Sequence, residues 1–98
     1  MKTRGKVTDV DKIIGLTLKQ WRTKKRRMSR NALATLVGVT GQQIAKYENG
    51  DNRIAVSTLL LLLSGLGISV YLFFRLTGLI TGEQLITQEE AWGLDEEI

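Results

Sequence analysis

A run of 21 residues without a charged side chain, from Ile54 to Phe74, limits the possible folds of this chain more than any other feature. An apolar stretch of that length can cross a bilayer as one helix, with the preceding basic residues on the cytoplasmic side. It can also supply most of the core of a small domain. Two serines and two glycines interrupt the run between positions 64 and 69, which favours shorter helices inside a folded domain.

Charge is divided unevenly between the two halves of the chain. Residues 1–53 hold 13 Lys and Arg against 4 Asp and Glu, a net charge of +9. Residues 54–98 hold 1 against 6, a net charge of −5, and the two sum to the overall +4. The basic half is typical of a protein that binds a polyanion.

The residue types exclude several classes of function. The chain has no Cys and no His, which excludes thiolate catalysis, disulfides and most zinc sites. It also lacks a Gly-rich phosphate loop, so the sequence predicts no enzyme, no metal site and no cofactor. Met1 to Lys12 carries charges without an apolar segment behind them. No secretory signal is therefore expected, and the cytoplasm is the predicted location.

A short helix is predicted between Thr40 and Gly50. Thr40 followed three residues later by Gln43 is a capping-box pattern, and Asn49-Gly50 supplies a left-handed stop. Ile44 and Tyr47 share one face of this helix and would point into a core.

The opposite face of this helix carries Gln42, Gln43 and Lys46, and no acidic residue comes before Glu48. Amide side chains can pair with adenine and Lys with guanine in the major groove of DNA. The pattern by itself is also that of an ordinary amphipathic helix. Its neighbours in the chain favour DNA reading.

Two helices are predicted upstream. The first should span about Asp9 to Arg26, with these apolar residues inward: Ile13, Ile14, Leu18 and Trp21. The second begins after Ser29 and ends at Gly38, so that a tight turn leads into the third and completes a helix-turn-helix. Four cations lie at the end of the first helix. They are either a solvated helix end or, as we prefer beside a reading helix, phosphate contacts: Lys24, Lys25, Arg26 and Arg27.

Residues 28–50, MSRNALATLVGVTGQQIAKYENG, resemble the Cro/CI (XRE) helix-turn-helix domain of lambda-type phage repressors. The later LGISVYLFF at residues 66–74 is similar to a bacterial branch of the same family, and the resemblance covers about residues 10–76. It implies an all-α fold, a compact five-helix lambda repressor-like bundle with a helix-turn-helix, followed by a C-terminal acidic tail. It also implies a regulator that binds double-stranded DNA sequence-specifically.

The resemblance implies roles for several polar residues of this region. Gln42 and Lys46 would read bases, and Gln43 a base or a phosphate. Arg22 would pair with Glu48 and clamp the first helix onto the third. Phosphate contacts are implied for four residues at the start of the second helix and after the third: Arg30, Asn49, Asn52 and Arg53.

The sequence departs from the family pattern in two places. Gly41 stands where many relatives carry a reading side chain, so readout at that position is expected to be lost. The link from Arg22 to Ser29 is about one residue longer than usual, which weighs against the pairing of Arg22 with Glu48.

Residues 54–80 are predicted to close the core and to dimerise. Four leucines match inward positions of a fourth helix: Leu59, Leu62, Leu63 and Leu66. The remaining apolar surface exceeds what a domain this small can bury, which indicates an interface between two copies. Its predicted members are Leu61, Tyr71, Phe73, Phe74 and Leu76. A larger monomeric core capped by the tail is the alternative. Residues 70–75 could form a strand, although Ser69 as an N-cap favours a fifth helix.

The predicted organisation is a flexible basic arm at residues 1–8, the DNA-binding domain at 9–80 and an acidic tail at 81–98. The tail either only solvates, or docks through a short helix ending at Trp92, or binds another protein. The predicted function is a homodimeric repressor on a palindromic operator, without membrane contact. The alternative is an antitoxin that binds a toxin through its tail and represses its own operon.

Overall fold

The computed structural model describes residues 7–80, and within them the chain is entirely helical. The helices are α1 (Asp9–Gln20), α2 (Arg30–Val37), α3 (Gly41–Glu48), α4 (Val56–Leu66) and α5 (Val70–Thr77). A π-helical turn, Trp21–Lys25, continues α1. The predicted all-α fold of five helices is confirmed, and the strand considered for residues 70–75 is wrong. Residues 1–6 of the predicted arm (1–8) and the acidic tail (81–98) lie outside the described residues.

Local capping sets most helix ends. Ser29 Oγ accepts from the backbone N–H of Ala32 at 3.0 Å, and Ser69 Oγ accepts from that of Leu72 at 3.1 Å. Both helix starts were predicted. Thr8, at the end of the predicted arm, caps α1 with a capping box. Gly38 ends α2 in the left-handed region at φ 79°, which a glycine adopts without steric cost.

The π-helical turn absorbs the extra residue between the first two helices. The Arg26 N–H donates to the Trp21 carbonyl five residues back at 3.0 Å, and the Met28 N–H donates to the Arg22 carbonyl at 3.0 Å. A π turn takes one more residue than an α turn for the same hydrogen-bonded closure. The longer link is therefore accommodated after Arg22.

The core lies where α1, α2, α3, α4 and α5 meet. Its buried apolar residues are Leu18, Leu33, Ala34, Ile44, Leu59, Leu62, Leu63, Leu66, Ile68 and Phe73. The four inward leucines of α4 are confirmed. Trp21 packs against this core and donates from Nε1 to the Leu66 carbonyl at 3.0 Å. Ile13, predicted inward, is exposed, because the buried face of α1 runs through Ile14, Thr17 and Leu18.

One predicted interface residue is wrong. Phe73 is 0% exposed and belongs to the core, so it cannot contact a second copy. Phe74 is half-buried and meets Phe73 edge-to-face, with 5.3 Å between ring centres. The other three predicted residues are exposed: Leu61 at 54%, Tyr71 at 53% and Leu76 at 51%.

Helices α4 and α5 divide the apolar run between them. Within residues 7–80, no single helix is both long and apolar enough to cross a membrane. Taken together, α4 and α5 meet the length and composition of a span, but they are bent by 100° relative to each other.

Candidate nucleic-acid interface

Helix α3 presents a polar face to solvent. Gln42, Gln43 and Lys46 are exposed, whereas Ile44 and Glu48 are buried on the other side. The structure therefore brings together the three residues predicted to read bases. All three lie within a helix whose N-terminus is held by Thr40.

The capping box at Thr40 limits what Gln43 can do. The Thr40 N–H donates to Gln43 Oε1 at 3.1 Å, and the Gln43 N–H donates to Thr40 Oγ1 at 3.0 Å. The amide oxygen of Gln43 is thus engaged within the protein, while its Nε2 can still donate outward. The side chains of Gln42 and Lys46 make no hydrogen bond to any other described residue.

A buried carboxylate fixes α3 against the first two helices. Glu48 accepts from Arg22 through two hydrogen bonds, Nε to Oε2 at 2.6 Å and Nη2 to Oε1 at 2.9 Å. Arg30 Nε donates to Glu48 Oε1 at 3.0 Å, and Arg22 Nη1 donates to the Met28 carbonyl at 2.6 Å. The Arg22–Glu48 pair thus forms despite the longer link, and its bidentate geometry fixes orientation as well as distance.

A close approach of α1 to the end of α3 depends on Gly15, which sequence reasoning missed. A Cβ at Gly15 would lie 2.8 Å from the Glu48 carbonyl oxygen and still closer to that of Tyr47. Both neighbours are backbone atoms and cannot swing aside. A glycine inside a helical pattern was the available signal, because it lowers helix propensity and usually has a packing reason.

An open cleft of about 530 Å³ lies between the starts of α2 and α3. Its lining residues are Arg22, Ser29, Arg30, Asn31, Gly41, Gln42 and Ala45. The side chain of Arg30 is 39% exposed. Its other guanidinium nitrogens can therefore donate to a ligand in the cleft while Nε stays hydrogen-bonded to Glu48. The N-terminus of α2 also favours an anion at the same place, because its first backbone N–H groups point out of the helix.

The other predicted phosphate contacts lie in two different places. Asn49, Asn52 and Arg53 are exposed in the segment that follows α3. Lys24 and Lys25 instead border a pocket of about 210 Å³ together with Trp21 and Leu76.

The remaining cations of the run also lie apart from the cleft. The Arg26 guanidinium lies beside Gly67, at the end of α4, and Arg27 adopts a φ of 50°. Lys24, Lys25, Arg26 and Arg27 are all exposed, but none of them lines the cleft that Arg30 shares with Gln42. Lys24 and Lys25 thus form a second basic surface, next to Leu76 of α5. Across the described part of the chain, no cluster of acidic, His or Cys side chains could hold a metal ion.

Known sequences resemble most of this domain. A family model described as helix-turn-helix matches residues 18–73. The HTH-type transcriptional regulator y4aM of Sinorhizobium fredii is 37% identical over 74 residues, covering 76% of this chain and 51% of that protein. The HTH-type transcriptional regulator RC0668 of Rickettsia conorii is 37% identical over 69 residues, covering 70% and 54%. The chain therefore spans about half the length of the curated relatives it matches.

Solved structures share the fold at low sequence identity. The wild-type restriction-modification controller protein C.Esp1396I superposes with a TM-score of 0.67 at 20% identity, over 71% of this chain and 90% of that one. The clp gene regulator ClgR from C. glutamicum gives 0.68 at 18% identity, over 74% and 91%.

Fold and comparisons together define a DNA-binding domain of the lambda repressor-like class. Its helix-turn-helix consists of α2 and α3, with α3 in the place of the recognition helix. The chain belongs to the Cro/CI (XRE) family of helix-turn-helix transcriptional regulators.

Proposed function

We propose that this chain is a homodimeric repressor that binds a palindromic operator through α3. The observation that carries the proposal is the exposed face of Gln42, Gln43 and Lys46 on a helix fixed by the buried Glu48. A helix held in this way can present its side chains to base edges without losing much conformational freedom on binding. Gln42 and Lys46 are the principal readers in this proposal, and Gln43 contributes its Nε2 donors.

Phosphate contacts position the domain on the duplex and carry no sequence information of their own. Arg30 serves this role from the start of α2, and Asn49, Asn52 and Arg53 from the segment after α3. Lys24 and Lys25 lie beside Leu76 of α5, and Arg26 lies at the end of α4, so we assign this cation run, with Arg27, to more distant phosphates or to general attraction of DNA.

A dimer is proposed through the exposed apolar side chains of α4 and α5. Leu61, Tyr71 and Leu76 are each more than half exposed, and half-buried Phe74 lies beside buried Phe73. A two-fold axis at this surface would present both α3 helices to one side of the duplex. Helix-turn-helix dimers place their half-sites about 34 Å apart, one turn of DNA. The structural neighbour C.Esp1396I has been solved as a tetramer in complex with its natural 35 base-pair operator, which supports an oligomeric mode of binding.

Selection of bound duplexes from a random pool, using the full chain, tests the DNA-binding proposal directly. We expect a palindromic motif with half-sites separated by about 10 base pairs. A reporter carrying that motif over a promoter then tests repression, because a bound repressor should lower expression. Recovery of duplexes that share no motif would contradict sequence-specific binding. Increased expression of the reporter would contradict repression.

Two single variants separate reading from positioning. Gln42→Ala should relax the preference at one base-pair position and cost roughly 1–3 kcal/mol there. Arg53→Ala should weaken binding to all sequences alike and reduce the slope of log affinity against log salt by about 1. Uniform losses for both variants on matched and scrambled sites would contradict this division of roles.

The oligomeric state decides between the proposal and its alternative. Sedimentation at micromolar concentration should give a dimer. A monomer without self-association would mean that the α4–α5 surface serves another protein, as in the antitoxin alternative, whose acidic tail lies outside the described residues. As a regulator of transcription, the protein is proposed to act in the cytoplasm.

A further inference from the structure

We infer that Asn31, a residue of α2, reads a base in the position that Gly41 leaves empty at the start of α3. Gly41 is the first residue of α3, and it has no side chain to offer to DNA. The N-terminal residues of a recognition helix are those that contact base edges. This inference rests on the proposed DNA-reading role of α3.

The contact between Asn31 and Gly41 is the observation that carries the inference. The Asn31 side-chain oxygen lies so close to where a Cβ at Gly41 would be that any larger residue there would push the amide aside. The Asn31 amide therefore lies over the first turn of α3. It borders the same open cleft as Gln42, the principal reader proposed above.

The side-chain amide of Asn31 is available to donate hydrogen bonds to DNA. Asn31 is exposed, and its backbone carbonyl accepts from Thr35 Oγ1 at 2.9 Å, whereas its amide group bonds to no other residue between 7 and 80. With its oxygen against Gly41, the two Nδ2 hydrogens remain as donors. Acceptors for them in the major groove are purine N7, guanine O6 and thymine O4.

This inference explains why a glycine stands at position 41. The start of α3 does not require the special freedom of glycine, since the backbone at Gly41 has no positive φ. Glycine instead provides space, because the absence of a Cβ lets the side-chain amide of Asn31 pack directly against the first turn of α3. The reading side chain is thus supplied by the neighbouring helix.

Three variants of the full chain, compared with the wild type by selection from a random duplex pool, test the inference. Asn31→Ala should remove the preference at one base-pair position of each half-site, lowering discrimination there roughly tenfold. Gly41→Ala should disturb the same position, because the new Cβ displaces the amide, while the melting temperature stays unchanged or rises since Ala favours helix. The double variant should select the same motif as Asn31→Ala alone.

A matched control is Asn52→Ala, which removes the same amide from a proposed phosphate contact and should weaken all sites alike. A wild-type motif that Asn31→Ala and Gly41→Ala leave unchanged at every position would overturn the inference and leave the proposed function intact. Uniform loss across sites for Asn31→Ala would likewise overturn it, since that is the result of a phosphate contact or a structural role. If the wild type selects no motif, the proposed function fails first and this inference with it.

Discussion

Removing the carboxylate of Glu48 is the change for which the structure makes the sharpest prediction about stability. The Glu48 side chain is 1% exposed and that of Arg22 is 8% exposed, so their ion pair is closed off from water. Breaking such a pair by deleting one partner costs about 3–5 kcal/mol, because the other charge stays buried without compensation. A domain of this kind has a total stability of about 5–15 kcal/mol. Glu48→Ala should therefore remove a large part of it.

The second arginine supplies the internal control. Arg30 reaches the same carboxylate at 3.0 Å, but its side chain is 39% exposed and remains solvated when the contact is lost. Arg30→Ala should therefore cost only about 0–1 kcal/mol, as for a surface ion pair. Glu48→Ala deletes the carboxylate and leaves the buried Arg22 charge uncompensated, whereas Arg30→Ala leaves the buried Arg22–Glu48 pair intact.

Replacing both buried charges tests the physical reason. The double variant Arg22→Met with Glu48→Leu leaves no unpaired charge, and such replacements are often neutral or stabilising. It should recover most of the stability that Glu48→Ala loses. Recovery will be incomplete, since the Met28 carbonyl also loses its donor from Arg22.

Urea unfolding followed by far-ultraviolet circular dichroism measures all four proteins, with the midpoints compared at constant slope. The reasoning would be refuted by a Glu48→Ala loss no larger than that of Arg30→Ala. It would also be refuted by a double variant less stable than Glu48→Ala alone, because the cost could not then come from a buried unpaired charge.

Three further predictions concern packing and assembly. Gly15→Ala should destabilise the fold by roughly 1–3 kcal/mol, since its Cβ meets the backbone at the end of α3, although the same change in an exposed helix would stabilise; a rise in the unfolding midpoint would contradict the close approach. Leu76→Asp, at an exposed position, should shift sedimentation to monomer and leave the melting temperature nearly unchanged at concentrations where the wild type is also a monomer. Phe73→Ala, in the core, should cost about 3–5 kcal/mol. Equal destabilisation by the Leu76 and Phe73 variants would contradict the assignment of Phe73 to the core and of Leu76 to the exposed surface of α5.

The sequence by itself determined the helices and their order. Ser29, Thr40 and Ser69 each cap a helix through contacts within three residues, so the signal is complete in a short window. Gly38 ends α2 for an equally local reason, its left-handed backbone. The inward leucines of α4 also followed from spacing, because positions 59, 62, 63 and 66 recur with the helical period and share one face.

Tertiary structure alone decided which residues meet across the domain. Phe73 and Phe74 are adjacent and equally apolar, and only the packing of α5 on the rest of the domain buries Phe73 and leaves Phe74 half-buried. Arg22 and Glu48 are 26 residues apart, and the long link from Arg22 to Ser29 weighs against their pairing in the sequence. The pair forms because the π turn accommodates the extra residue of that link.

The positions of the basic residues and of Asn31 could not be predicted from the sequence either, because they too depend on tertiary packing. Lys24 and Lys25 lie near the reading region in sequence but beside Leu76 in space. Asn31 lies ten residues before Gly41, and its contact with that glycine depends on how α2 packs on α3. Capping and helical spacing are set by neighbours within a few residues, whereas these contacts depend on how whole helices pack. A change of a few ångströms in that packing alters the contact without altering any local pattern.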